Sequence, residues 1–244
     1  MPPPTDFRVC RWAAWAPGLE TPEAWDAWLT APTWPVPAPD AVAPLAEVPA
    51  LMRRRIDPLG RAALQVAWWV QGAEPTGPVV FASRWGEIAR SVALLRQLSQ
   101  REPLSPTAFS LSVHNASSAV YSIARGDTAN YTAVSAGPAS AAAGVCEALG
   151  LLAQGAPQVL VVSVESALPE PYRDFERHPG PIRAWAALLE STECGLRLQA
   201  TPPSPVVDDA DLPPDLGTLC FLAGRAPQWR QDCPQGGWLW SRHG

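Results

Sequence analysis

Apolar and polar positions along this chain switch repeatedly between a two-residue and a 3.6-residue period, which predicts strands alternating with helices. Residues 7–14 read as a first strand. Thr21, Pro22 and Glu23 then supply an N-cap, a first-turn proline and a first-turn acid. They predict a helix over 22–29 with Trp25 and Trp28 on one face. A helix over 58–70 brings Leu59, Ala63, Val66 and Val70 near one stripe. Residues 78–82 (PVVFA) read as a short buried strand. A helix over 87–100 is expected to turn Ile88, Val92, Leu95 and Leu98 inward. Residues 131–135 read as a strand, and 140–154 as a helix of small residues that lets other backbone approach closely. Residues 158–164 (QVLVVSV) form the continuous apolar strand expected when both faces of a sheet are covered. Residues 184–189 (AWAALL) are another apolar run. Two proline-rich stretches, 31–50 and the acidic 201–217, read as irregular. The alternation argues a layered α/β fold. Residues 1–200 would form the domain, and 201–244 a proline-rich acidic linker followed by a Trp-rich segment packing on it.

Composition narrows the class. The 244 residues are 47% hydrophobic and 17% charged, which suits one large globular domain or two small ones. A chain this long buries roughly 70–75% of its unfolded surface and needs no disulfide staples. Cys10, Cys146, Cys194, Cys220 and Cys233 are scattered, with no CxxC and no Cys/His pair at zinc-ligand spacing. A reducing compartment is the simplest reading. The net charge is −5 and every basic residue is arginine or histidine, so nothing supports nucleic-acid binding. The first residues lack a basic region followed by an apolar core, and Glu147 interrupts the low-polarity stretch 133–153. These features predict a cytoplasmic protein without a secretory signal or membrane span. No metal motif, P-loop or dinucleotide glycine fingerprint is present, and no cofactor is expected.

The order of elements carries a resemblance. Residues 9–29 (VCRWAAWAPGLETPEAWDAWL) resemble the opening strand, turn and Trp-containing helix of β-ketoacyl synthases, and 78–86 (PVVFASRWG) resemble their second strand and glycine turn. The strongest match runs from Leu104 to Gly150. There, 105–115 (SPTAFSLSVHN) resembles an extended stretch ending before a helix, and residues 131–140 resemble the strand and sharp turn of the nucleophile elbow. Residues 161–167 (VVSVESA) resemble the strand that ends near a Glu-Ala pair. The resemblance covers roughly residues 7–190. It is similar to the short synthase-like proteins found beside synthases and chain-length factors in aryl polyene gene clusters. It implies a thiolase-like half: a layered α/β/α unit on a mixed, mostly parallel sheet.

Where such enzymes carry a thiolate nucleophile, this elbow reads Ser135, Ala136, Gly137, Pro138, Ala139, Ser140. One alignment register puts the nucleophile position at Pro138, a second at Ala136, and neither side chain attacks a thioester. Cys146 lies nearly two helical turns beyond, each rising 5.4 Å, and is expected to be a small buried core residue. The enzymes also use two histidines from a second half, and 244 residues leave no room for one. His114 and Asn115 are the candidate polar pair near the elbow, with a loop or supporting role favoured over catalysis. His178 and His243 are expected to be solvated. Ser135 or Ser140 beside His114 would make a hydrolase-like pair, but no G-x-S-x-G elbow or third member accompanies them. These serines are expected to satisfy backbone groups around a tight turn. Arg53, Arg54, Arg55 and Arg61 could dock an acidic acyl carrier protein, against the plainer reading of a solvated helix end. Trp68, Trp69, Trp238 and Trp240 could line an acyl cavity, against the plainer reading of core packing.

The resemblance thus implies a non-catalytic, chain-length-factor-like accessory in polyketide or fatty-acid-like biosynthesis. Its expected partners are a full-length β-ketoacyl synthase or a second copy, and an acyl carrier protein. The alternative is an acyltransferase, decarboxylase or thioesterase acting on carrier-bound acyl groups. A lone half would leave an apolar partner-facing surface, and the strand at 131–135 is the candidate pairing edge.

Overall fold

The computed structural model describes residues 6–36, 41–72, 77–176, 179–202, 212–233 and 236–243. His178 and much of the predicted linker at 201–217 lie outside the described residues. Strand β1 (Phe7–Trp15) opens the chain, followed by α1 (Pro22–Thr30), the short α2 (Ala50–Arg53) and α3 (Pro58–Gln71). Next come β2 (Val79–Ala82), α4 (Ile88–Ser99), α5 (Pro106–Ser110), α6 (Ala116–Arg125), β3 (Tyr131–Val134), α7 (Ser140–Ala153) and β4 (Val159–Glu165). The chain closes with β5 (Arg183–Ser191), β6 (Leu196–Thr201), α8 (Pro214–Ala223), β7 (Gln228–Gln231) and β8 (Gly237–Arg242).

Local chemistry explains the starts of the first helices. The Thr21 hydroxyl accepts from the Ala24 amide, and the Asp57 carboxylate from the Gly60 amide, each followed by a first-turn proline. Such caps contribute about 1 kcal/mol apiece. The strands join one sheet in the order β3-β2-β4-β5-β1-β6-β8-β7. The sheet is mixed. Parallel pairing is confined to β3-β2-β4, so the expectation of a mostly parallel sheet holds only for that side. From β4 onward the neighbours pair antiparallel.

Helices cover both faces, and β4 shows why its sequence is unbroken. Val159 and Val161 enter the core under α1, α7 and α8, while Leu160, Val162 and Val164 enter the core under α3 and α6. Small residues let α7 lie close to β2. A Cβ on Gly144 would stand 2.8 Å from that of Ala82. The core over α7 is completed by Phe221 of α8 and by Trp240 of β8, whose ring lies 5.6 Å from that of Phe221. The tryptophans therefore divide: Trp25, Trp185 and Trp240 are core, Trp68 packs edge-on against Tyr121, and Trp69 is partly exposed.

Four expectations are corrected. Helix α8 begins at Pro214, inside the stretch read as irregular, because Pro213 and Pro214 sit at its start, where proline is tolerated. Residues 105–115 are not extended: Ser105 caps α5. In α4, Val92 and Leu94 are buried while Leu95 and Leu98 are more than half exposed, because the helix packs beside α5 rather than on the sheet. Cys146 is exposed: Val145, Ala148 and Leu152 take the inward face of α7.

Candidate functional site

The carboxyl ends of the three parallel strands meet in one place, where open α/β sheets offer ligand sites. Residues 83–87 follow β2, the Ser135–Ser140 turn follows β3, and Glu165 ends β4. The turn is tight. Gly137, at φ +56°, occupies its tip between Ala136 and Pro138, a conformation that disfavours any residue with a side chain. Ser140 Oγ donates to the Gly137 carbonyl (2.7 Å) and accepts from the Ala136 amide (3.0 Å). Ser135 Oγ donates to the Arg84 carbonyl at 3.0 Å. Both hydroxyls thus hold backbone around the turn.

His114 does not join either serine. Its Nε2 donates to the Ser83 carbonyl (2.9 Å), and its ring packs against Gly86. The histidine fixes the turn after β2 to the segment before α6. Asn115 is exposed and occupies the N-terminal boundary of α6 without a side-chain cap bond. His243, near the end of the described chain, is exposed and bonds Ser241.

Beneath the elbow lies a charged network that sequence reasoning passed over as a site. Glu165 Oε1 accepts from the Arg84 amide at 2.7 Å. Burial, reinforced by the nearby Asp215 carboxylate, pushes the Glu165 carboxyl up to about 8. Arg183, at the start of β5, grips Asp215 of α8 through two bonds of 2.7 and 2.8 Å, both side chains being buried. Trp185 Nε1 donates to the Asp215 carbonyl. The elbow is also tied to the C-terminal strands, since Gln231 of β7 reaches the Pro138 carbonyl at 3.4 Å. An acid closing an otherwise apolar strand was the one available signal for Glu165. Arg183 and Asp215 are 32 residues apart and had none.

The arginine cluster separates into two roles. Arg53 donates to the Leu45 carbonyl, and Arg61 to the carbonyls of Ile56 and Arg53. Arg54 and Arg55 are exposed. Among the described residues no group of three or more His, Cys, Asp or Glu is placed to hold a metal ion. No described helix is long and apolar enough to cross a membrane.

Exposed large apolar side chains avoid the face over α7 and α8. Several lie along one stretch of chain: Leu95 and Leu98 on α4, Leu104, Phe109 on α5, Val113, and Ile123 on α6, while Val36, Leu51 and Phe175 are exposed elsewhere. That stretch leads into β3, which is the sheet's terminal strand and has Tyr131 exposed.

A helix-flanked mixed sheet whose three parallel strands end at a strand–turn–helix elbow is the ketosynthase-like version of the thiolase fold. The chain belongs to the family described as beta-ketoacyl synthase, N-terminal domain, whose model matches residues 25–241. Among solved structures, it is similar to a chain of the ketosynthase (ApeO) in complex with its chain length factor (ApeC) from Xenorhabdus doucetiae. That match has a TM-score of 0.86 and 28% identity and covers 97% of this chain and 99% of that one. The ishigamide ketosynthase/chain length factor shares the fold at TM-score 0.65 and 16% identity, over 84% of this chain and 68% of that one. A beta-ketoacyl synthase from Burkholderia phymatum STM815 does so at TM-score 0.61 and 14% identity, over 82% and 67%. No curated protein matches the chain.

Proposed function

We propose that this chain is a non-catalytic, chain-length-factor-like subunit. It assembles with a full-length β-ketoacyl synthase that extends carrier-bound acyl chains, in an aryl polyene or related polyketide pathway. The observation that carries this reading is an elbow of Ala136, Gly137 and Pro138 beside an open β3 edge and its apolar shoulder. The elbow has nothing to hold an acyl group. The edge strand offers unpaired backbone groups, and large exposed apolar surfaces mark interaction sites. Two comparisons add support. The chain matches 99% of a chain from a ketosynthase–chain length factor complex, against 67% of the B. phymatum synthase. A second copy of this chain is the competing occupant of the edge. Arg54 and Arg55 are the docking residues proposed for the acidic carrier protein.

Mixing the purified chain with the ketosynthase of its gene cluster, followed by size exclusion with light scattering, should give a heterodimer. A stable monomer in that mixture, or a homodimer that resists exchange, overturns the assignment of the partner. Incubation with acyl- and malonyl-carrier protein should leave the intact mass of the chain alone unchanged. An acyl adduct on Ser135 or Ser140, or turnover of the carrier, replaces this reading with an acyltransferase, decarboxylase or thioesterase.

A further inference from the structure

Away from the elbow, α3, α4 and α6 converge on two carboxyl groups. Asp57 caps α3: its Oδ1 accepts from the Gly60 amide at 2.8 Å, and its Oδ2 pairs with Arg90 of α4 at 3.2 Å. Glu87, immediately before α4, is 94% buried, and its Oε1 accepts from Ser117 Oγ of α6 at 2.9 Å. The Asp57 and Glu87 carboxyls line the same small cleft, with Asp57 Oδ1 and the Ser117 hydroxyl that bonds Glu87 both crowding the Gly60 backbone. Two carboxylates cannot share a buried contact without a proton between them. Glu87 Oε2 is buried and has no donor, which is the atom where a proton would complete the set. Asp57 is the better-stabilised anion, with an amide donor, the start of a helix and a guanidinium. The proton therefore resides on Glu87.

We propose that Asp57 and Glu87 share one proton and form a latch that fastens the α4–α5 shoulder to the start of α3. The latch closes a cleft of about 20 Å³ lined by Arg55, Asp57, Glu87, Arg90, Leu111 and Ser117. Leu111 directly follows α5, and Ser91 Oγ of α4 donates to the Ser112 carbonyl, so the shoulder is tied to the latch. The charged or titratable groups around the pair are Arg55 ahead of α3, Arg90 on α4, and His114 against Gly86. Burial and the neighbouring Asp57 push the Glu87 carboxyl up to about 9. A carboxyl raised in the folded state binds its proton more tightly there than in the unfolded chain. Its contribution is complete below the unfolded value near 4.5 and is lost as pH rises toward 9.

The test compares the wild type with E87Q and D57N. Glutamine keeps the shape and donates to Asp57 without titrating. The melting temperature of E87Q, relative to wild type, should therefore rise steadily from pH 6 to pH 9. At pH 9, amide exchange over residues 88–115 should be faster in the wild type than in E87Q. Parallel melting curves across that range overturn the latch. Because E87Q could fail to fold, the second measurement is a carboxyl titration of wild type and D57N labelled with ¹³C-glutamate. Two side chains, Glu87 and Glu165, should titrate well above the usual range, and D57N should pull only one of them down. A wild type in which D57N lowers no raised glutamate carboxyl overturns the proposal.

Discussion

The two sides of this molecule solve the problem of apolar surface differently. Over α7, helix α8 and strands β7 and β8 close the face with Phe221, Leu219 and Trp240, and no large apolar side chain there is exposed among the described residues. Around α4, α5 and β3, Leu95, Leu98, Phe109 and Tyr131 remain open to solvent on a stretch that ends at the sheet's terminal strand. A surface that the chain can cover with its own C-terminal elements needs no partner for stability. The one it leaves bare is where a partner has something to gain.

The contrast can be broken most forcefully from the closed side. Asp215→Ala strips the buried Arg183 of its bidentate partner and uncouples α8 from the sheet. An unpaired buried charge of this kind costs about 3–5 kcal/mol, and urea unfolding should show that loss. A change below about 1 kcal/mol would mean that α8 is not anchored through this pair. On the open side, the paired change Leu98→Asp and Phe109→Asp should leave unfolding within about 0.5 kcal/mol of the wild type. The same change should weaken ketosynthase association by about 2–3 kcal/mol, on the order of 30- to 150-fold. A titration in which affinity is unchanged would remove the shoulder from the interface.

A smaller effect concerns the floor of the elbow. The Glu165 carboxyl is raised to about 8, so its proton is held more tightly in the folded state than in the unfolded chain. Stability from this group falls as pH rises from about 4.5 toward 8. Glu165→Gln should flatten that part of the stability curve by an amount on the order of 1 kcal/mol per pH unit. Identical slopes in the two proteins would place the titration elsewhere. The weakest expectation is for Arg54→Glu with Arg55→Glu, both exposed. Association with an acidic carrier protein should slow several-fold at low salt, and the difference should vanish at high ionic strength.

Legibility in the sequence followed the same division. The opening strand, the capped helices and the β2, β3, β4 and α7 segments could be read from local period and capping residues. Helix α4 shows the limit. Its apolar stripe was visible, but Leu95 and Leu98 face outward because α4 lies against α5 instead of the sheet. The C-terminal strands were missed because Leu196–Thr201 and Gly237–Arg242 become strands by pairing with each other across some forty residues.

By itself, then, the sequence determined the order and type of most elements, because propensity, capping and turn chemistry act over a few residues. Only the tertiary structure decided which faces are closed and which open, that Glu165, Arg183 and Asp215 form one network, and that Asp57 meets Glu87. Those partners are 18 to 50 residues apart in the chain. Burial and low local dielectric, which give such contacts their consequence, exist only once the layers have packed.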